Sequence, residues 1–136
     1  MSGMLGGCAC GAVRYEIEGA PMGVGVCYCR DCQYATGGPP TYVALVPRPA
    51  FKLTKGEPRR FTSKADSGKD VTRVFCADCG TPLYSDPEDG PMLPVKVGGL
   101  DDPSGLTPGL AIYTASAQPW HLRHEGIPSF EKMPGG

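Results

Sequence analysis

Residues 71–84 read Val71-Thr72-Arg73-Val74-Phe75-Cys76-Ala77-Asp78-Cys79-Gly80-Thr81-Pro82-Leu83-Tyr84. A β-branched and aromatic run enters a Cys-x-x-Cys-Gly turn, and a second apolar run leaves it. The flanks favour extended chain, because branched and aromatic side chains suit a pleated surface. The turn is a metal knuckle in form: Gly80 can take positive φ and let backbone N–H groups face the two sulfurs. Strand, knuckle, strand is the unit from which the rest of the chain is read.

Working outward, the same punctuation recurs. Val13, Tyr15 and Ile17 alternate with Arg14, Glu16 and Glu18, which predicts a half-buried strand ended by Gly19 and Pro21. Residues 42–46 form an apolar run between Pro40 and Pro47 and read as a well-buried strand. Phe51 and Leu53 alternate with Lys52 and Thr54, followed by a turn at 55–58. Residues 93–97 and 110–114 are further strand candidates. A turn or two around 30–34 is the one helical hint. Twenty glycines and fifteen prolines in 136 residues argue against long helices. The reading is one all-β domain over 1–136, built of several twisted antiparallel sheets, with a loosely held tail at 128–136.

Charge and hydropathy exclude several classes. The formal net charge is -1, so bulk attraction to nucleic acid or to a membrane surface is not expected. No apolar run reaches membrane-spanning length, and residues 1–5 lack the pattern of an export signal. A cytoplasmic protein is expected. In that reducing setting, seven clustered cysteines point to metal rather than to disulfides, and their odd number would leave one thiol over in any closed disulfide framework.

The cysteines fall as Cys8-x-Cys10, Cys27-x-Cys29-x-x-Cys32 and Cys76-x-x-Cys79. A closed structural zinc site needs four thiolates in a tetrahedron. Cys10 is followed by Gly11 as Cys79 is by Gly80, so the outer pairs look like matching knuckles, one before each of two strands. Cys8, Cys10, Cys76 and Cys79 then make the four, clipping distant parts of the chain together. Cys27, Cys29 and Cys32 stand alone as a three-sulfur set with one coordination position free. Such an open zinc site can take water or a thiol. Its alternatives are a second structural site completed by His121, His124 or an Asp, or three cysteines that stay reduced. His121 and His124 read as surface or hydrogen-bonded histidines before they read as ligands.

These motifs resemble a known family. The matching stretches are Gly7-Cys8-Ala9-Cys10-Gly11-Ala12-Val13-Arg14-Tyr15, Cys27-Tyr28-Cys29-Arg30-Asp31-Cys32 and Phe75-Cys76-Ala77-Asp78-Cys79-Gly80-Thr81, with Gly98-Gly99-Leu100-Asp101-Asp102-Pro103, Pro119-Trp120 and Gly126-Ile127-Pro128 further on. The chain resembles the glutathione-dependent formaldehyde-activating enzymes, a family that includes the domain of centromere protein V. Tyr28 stands where many members carry His.

The resemblance implies coiled antiparallel sheets and two zinc ions. One is structural, on Cys8, Cys10, Cys76 and Cys79; the other is catalytic, on Cys27, Cys29 and Cys32. It implies a carbon–sulfur lyase that forms S-hydroxymethylglutathione from formaldehyde and glutathione, with glutathione as the small-molecule partner. The alternative is a zinc-stabilised module that binds a thiol or a protein without turnover. Arg30, Tyr34 and Tyr42 are candidates to orient a substrate, Trp120 to wall its pocket, and Arg30 and Arg48 to supply the anion patch. For each, packing or a solvated surface is the plainer role. Arg59 and Arg60 read as an exposed loop pair.

Overall fold

The computed structural model describes residues 3–134. Their strands are β1 Met4–Gly7, β2 Arg14–Ile17, β3 Gly23–Cys27, β4 Thr41–Pro47, β5 Phe51–Lys55, β6 Arg59–Lys64, β7 Asp70–Phe75, β8 Pro82–Pro87, β9 Met92–Lys96 and β10 Leu110–Ile112. The α-helix is α1 Arg30–Thr36, with 3-10 turns at Arg48–Ala50, Val97–Gly99 and Thr114–Ser116. The all-β expectation holds, and the helical hint at 30–34 is a seven-residue helix.

Two sheets result. One has the order β1-β2-β5, the other β10-β3-β4-β9-β8-β7-β6. All pairings are antiparallel except β10 with β3, which is parallel and places Ile112 beside Cys27. β4 holds one edge of β3, and β10 returns from a long excursion to cover the other.

Three strands escaped the sequence reading. β1 and β3 are rich in glycine, which has low strand propensity. At Gly6 the reason is clearance: a Cβ there would lie 2.6 Å from the Gly99 carbonyl oxygen and from the Tyr15 ring. β6 contains Arg59 and Arg60, so the expected loop pair is instead the start of an edge strand. Both arginines are exposed, and Arg60 donates to Asp86 at 2.8 Å.

The main core lies between the sheets and gathers Val13, Tyr15, Ile17, Val46, Val74, Leu83, Tyr84, Leu93 and Val95. Phe51 links it, with ring centroids 5.0 Å from Tyr15 and 4.6 Å from Tyr84. Such aromatic pairs add roughly 0.5–1.5 kcal/mol each beyond their buried area. A smaller core joins Val26, Tyr28 and Ala111, with Tyr42, Ala117 and Ile127 packed on it. Part of the tail expected to be loosely held is tied to this second core. Ala111 donates to Pro128, Phe130 to Ala111, and Tyr113 to Lys132, at 2.9, 2.9 and 3.1 Å. Residues 135 and 136 lie outside the described residues.

Candidate metal centres and the cleft beside them

The two knuckles are built alike. Gly11 and Gly80 have φ of +81° and +78°, the left-handed region that glycine enters without steric cost. Gly11 donates to the Cys8 carbonyl at 3.1 Å and Gly80 to the Cys76 carbonyl at 3.0 Å. Backbone N–H groups face sulfur in both: Val13 donates to Cys8 at 3.2 Å, and Asp78 and Cys79 to Cys76 at 3.3 and 3.4 Å. Thr81 joins the knuckles, because its hydroxyl accepts from the Ala9 N–H at 3.1 Å and touches the Cys79 sulfur at 3.1 Å.

The four sulfurs all lie within 4.8 Å of one another. Cys8 and Cys10 are 3.6 Å apart, and Cys10 and Cys76 are 3.8 Å apart. A tetrahedron with zinc–sulfur bonds of about 2.3 Å has edges of about 3.8 Å, so the donor set fits that ion. It does not fit disulfides: all seven cysteines are free thiols.

The second cluster comes from one short stretch. Cys27 ends β3, and the two-residue period of extended chain puts Cys27 and Cys29 on one side and Tyr28 on the other. Tyr28 is fully buried in the small core, and its hydroxyl donates to the Leu122 carbonyl at 2.9 Å. Cys29 caps α1, its sulfur accepting from the Cys32 N–H at 3.2 Å, and the first helical turn returns Cys32 to the group. The three sulfurs lie within 4.8 Å of one another, and no fourth Cys, His, Asp or Glu joins them among the described residues. The Cys29–Cys32 edge is 2.9 Å and would open on binding an ion.

The crowded sulfurs share protons unevenly. Hydrogen bonds from Cys27, then from Cys32, hold Cys29 at about 2. Cys27 is pushed up, chiefly by its bond to Cys29. Cys32 is drawn down by Cys27 but pushed up by Cys29 and by burial, to about 11. In the other cluster, hydrogen bonds from Thr81 hold Cys79 at about 5. A bound dication would displace the remaining thiol protons.

Gln33 fixes the three-sulfur loop to its surroundings. Its buried amide donates to the Tyr28 carbonyl at 2.8 Å and to the Ser116 carbonyl at 3.0 Å. Its oxygen accepts from Gln118 at 3.1 Å and from Arg30. Nothing in the sequence pattern singles it out, since its partners lie up to 85 positions away.

The histidines are hydrogen-bonded, outside both sulfur clusters. His121 accepts from the Gln118 N–H at 2.8 Å and meets the Gly38 carbonyl at 2.9 Å; His124 meets the Tyr42 hydroxyl at 2.7 Å. Arg30, Tyr34 and Trp120 line one surface cleft, where the Arg30 guanidinium sits 5.1 Å over the Tyr34 ring. Arg48 does not serve the cluster. It is bound to Asp86 at 2.7 Å and to the Pro87 and Gly90 carbonyls. It also follows the far end of β4, whose first residue is the one paired with Cys27, about 20 Å away along the strand.

The cations near the triplet are Lys96 and Arg73, on one face of β9 and β7 beneath α1. Lys96 donates to the buried Thr41 hydroxyl at 2.8 Å. Burial pulls its ammonium down; the sulfurs of Cys32, Cys27 and Cys29 oppose that, and Arg73 adds to it. Arg73 reaches Asp31 at 3.6 Å and donates to the Ser63 hydroxyl at 3.1 Å. Tyr113, just after β10, holds a left-handed backbone at φ 55° and ψ 36°. That conformation costs a non-glycine residue about 1–2 kcal/mol. Its hydroxyl is raised by burial first, then by Asp66 and the Cys27 and Cys29 sulfurs.

Fold and site together define an all-β chain carrying two cysteine clusters able to hold metal ions. Comparison with known proteins gives the family. The sequence pattern of the glutathione-dependent formaldehyde-activating enzymes matches residues 4–116, and the chain belongs to that family. A crystal structure of a Rhodobacter sphaeroides protein superposes with a TM-score of 0.58 at 20% identity, covering 93% of this chain and 99% of the other. That similarity supports the fold.

Proposed function

We propose that the chain is a zinc-dependent enzyme of the carbon–sulfur lyase type that acts on the adduct of a small thiol with an aldehyde. The reaction is that of formaldehyde with glutathione: a carbon–sulfur bond forms, and the thiol proton ends on the former carbonyl oxygen, giving S-hydroxymethylglutathione. Cys8, Cys10, Cys76 and Cys79 would hold a structural ion, and Cys27, Cys29 and Cys32 a functional one. The observation that carries the reading is the three-sulfur set beside a cationic cleft. Zinc held there supplies an acidic position that favours thiolate over thiol at neutral pH.

The protein's own residues do the rest. Tyr28 and Gln33 clamp the loop from both sides, so the sulfurs keep their spacing without a fourth protein ligand. The family supports glutathione as the thiol.

The test is exchange spectroscopy by NMR on equilibrated glutathione and formaldehyde with zinc-loaded protein. The expected result is exchange faster than in the protein-free mixture, lost in Cys29→Ser. A rate equal to the protein-free control leaves a thiol- or protein-binding module without turnover.

A further inference from the structure

One cavity holds a pair of cations that the fold leaves with little counter-charge. It has a volume of roughly 330 Å³ and lies against the face of the seven-stranded sheet beneath α1. Arg73 and Lys96 line it, with Phe61 as a wall, and Ala35 of α1 and Gly80 also border it. Ala35 is one helical turn beyond Cys32, so the cavity opens beside the three-sulfur cluster, and Gly80 is the knuckle glycine of the four-sulfur one.

Four other cations are paired at close range. Arg14 pairs with Asp101 at 2.5 Å, Arg48 with Asp86 at 2.7 Å, Arg60 with Asp86 at 2.8 Å and Lys64 with Asp70 at 2.7 Å. Lys96 has no carboxylate at ion-pair distance among the described residues; its bond is to a neutral hydroxyl. Arg73 meets Asp31 only at 3.6 Å, outside hydrogen-bonding range, and donates one bond, to Ser63. Its planar fork therefore keeps free donors of the geometry that grips a carboxylate through two bonds. A partly buried ammonium without an anion is an incomplete pair.

We propose that Lys96 and Arg73 are the anchor for a carboxylate of the thiol substrate, holding it in this cavity while its sulfur lies at Cys27, Cys29 and Cys32. The inference rests on the function proposed above and adds its substrate class: thiols carrying a carboxylate on a short carbon chain. Phe61 packs on the chain, and the two cations take the charge. A neutral thiol of the same length offers the two cations no carboxylate.

The experiment uses cobalt-loaded protein and titrates 3-mercaptopropionate against its neutral amide, 3-mercaptopropionamide, following cobalt–thiolate absorption. The acid is expected to bind roughly tenfold or more tightly than the amide, the scale of one charged hydrogen bond. Lys96→Met and Arg73→Gln should each erase most of that preference and keep both metal equivalents. Lys96→Arg should keep the preference. Equal binding of acid and amide to the parent protein overturns the anchor while the thiol site stands, as does a preference that survives in both charge-removing variants. Loss of metal in Lys96→Met and Arg73→Gln shows that the cations serve the sulfurs rather than a ligand, and overturns it too. An absorption that neither thiol changes overturns the thiol site, and the anchor with it.

Discussion

The two sulfur clusters use one donor type and reach it by opposite routes. The four-sulfur cluster is assembled from residues 66 positions apart, on two turns that each close with a bond from the glycine to the first cysteine's carbonyl. The three-sulfur cluster comes from a strand end and the first turn of a helix. Cys10 and Cys79 are exposed, yet their cluster is complete. Cys27 is buried and Cys29 and Cys32 half-buried, yet theirs lacks a fourth protein ligand. Completeness therefore does not follow burial. The cluster that joins distant chain brings four ligands of its own and, in the function proposed above, holds the fold. The local one is framed by Tyr28 and Gln33, independently of any ion, and can leave a position for something else.

The comparison breaks most visibly at Cys76. This buried sulfur takes two backbone N–H groups and belongs to the long-range clip. Cys76→Ser should cost several kcal/mol, a large part of the roughly 5–15 kcal/mol that holds a domain folded. Thermal unfolding followed by circular dichroism should show the transition lost or lowered by more than about 10 °C.

Next in size is Gln33→Leu, which leaves the Tyr28 and Ser116 carbonyls without their donor. It should cost about 1–3 kcal/mol. It should also weaken metal at the three-sulfur cluster alone, read as one equivalent released at lower chelator concentration. Release of both equivalents together would mean that the frames are not independent.

Cys29→Ser should cost about 1 kcal/mol in the fold while removing one metal equivalent, measured by metal analysis beside a urea titration. If it unfolds the protein as fully as Cys76→Ser, the contrast between clip and open site fails.

The smallest effect belongs to neither cluster. Burial raises the Asp86 carboxyl, but hydrogen bonds from Arg48 and Arg60 outweigh it and hold it below its ordinary value. Its contribution is present above the ordinary carboxylate value near 3.9 and is lost as pH falls through the lower folded value. Asp86→Asn should cost about 1 kcal/mol at pH 6 and almost nothing near pH 2, by urea midpoints. Metal content at pH 6 should not change.

Strands were legible where side chains set them. The alternation at Val13, Tyr15 and Ile17 marks β2, and the branched run at 71–75 marks β7, because packing against the core needs those shapes. β1 was hidden because Gly6 is required by clearance from Tyr15 and Gly99, and β3 because Gly23 and Gly25, which no close contact requires, lower its strand propensity. The grouping of the sulfurs was legible because each knuckle repeats the other's glycine. Lys96 and Arg73 were not, since placing them on one face needs the register of β7, β8 and β9. Arg48 misled for the same reason: proximity to a turn rich in carbonyls spends its donors far from the sulfurs.

The Tyr28 hydroxyl bonds to Leu122, and its N–H to the Ile112 carbonyl. A ribosome has therefore finished both knuckles by residue 80, some forty residues before it delivers the last lock on the Cys27–Cys32 loop. By then all four knuckle sulfurs are present, while the Cys27–Cys32 loop gains its last hydrogen-bond locks only when the C-terminal third has emerged.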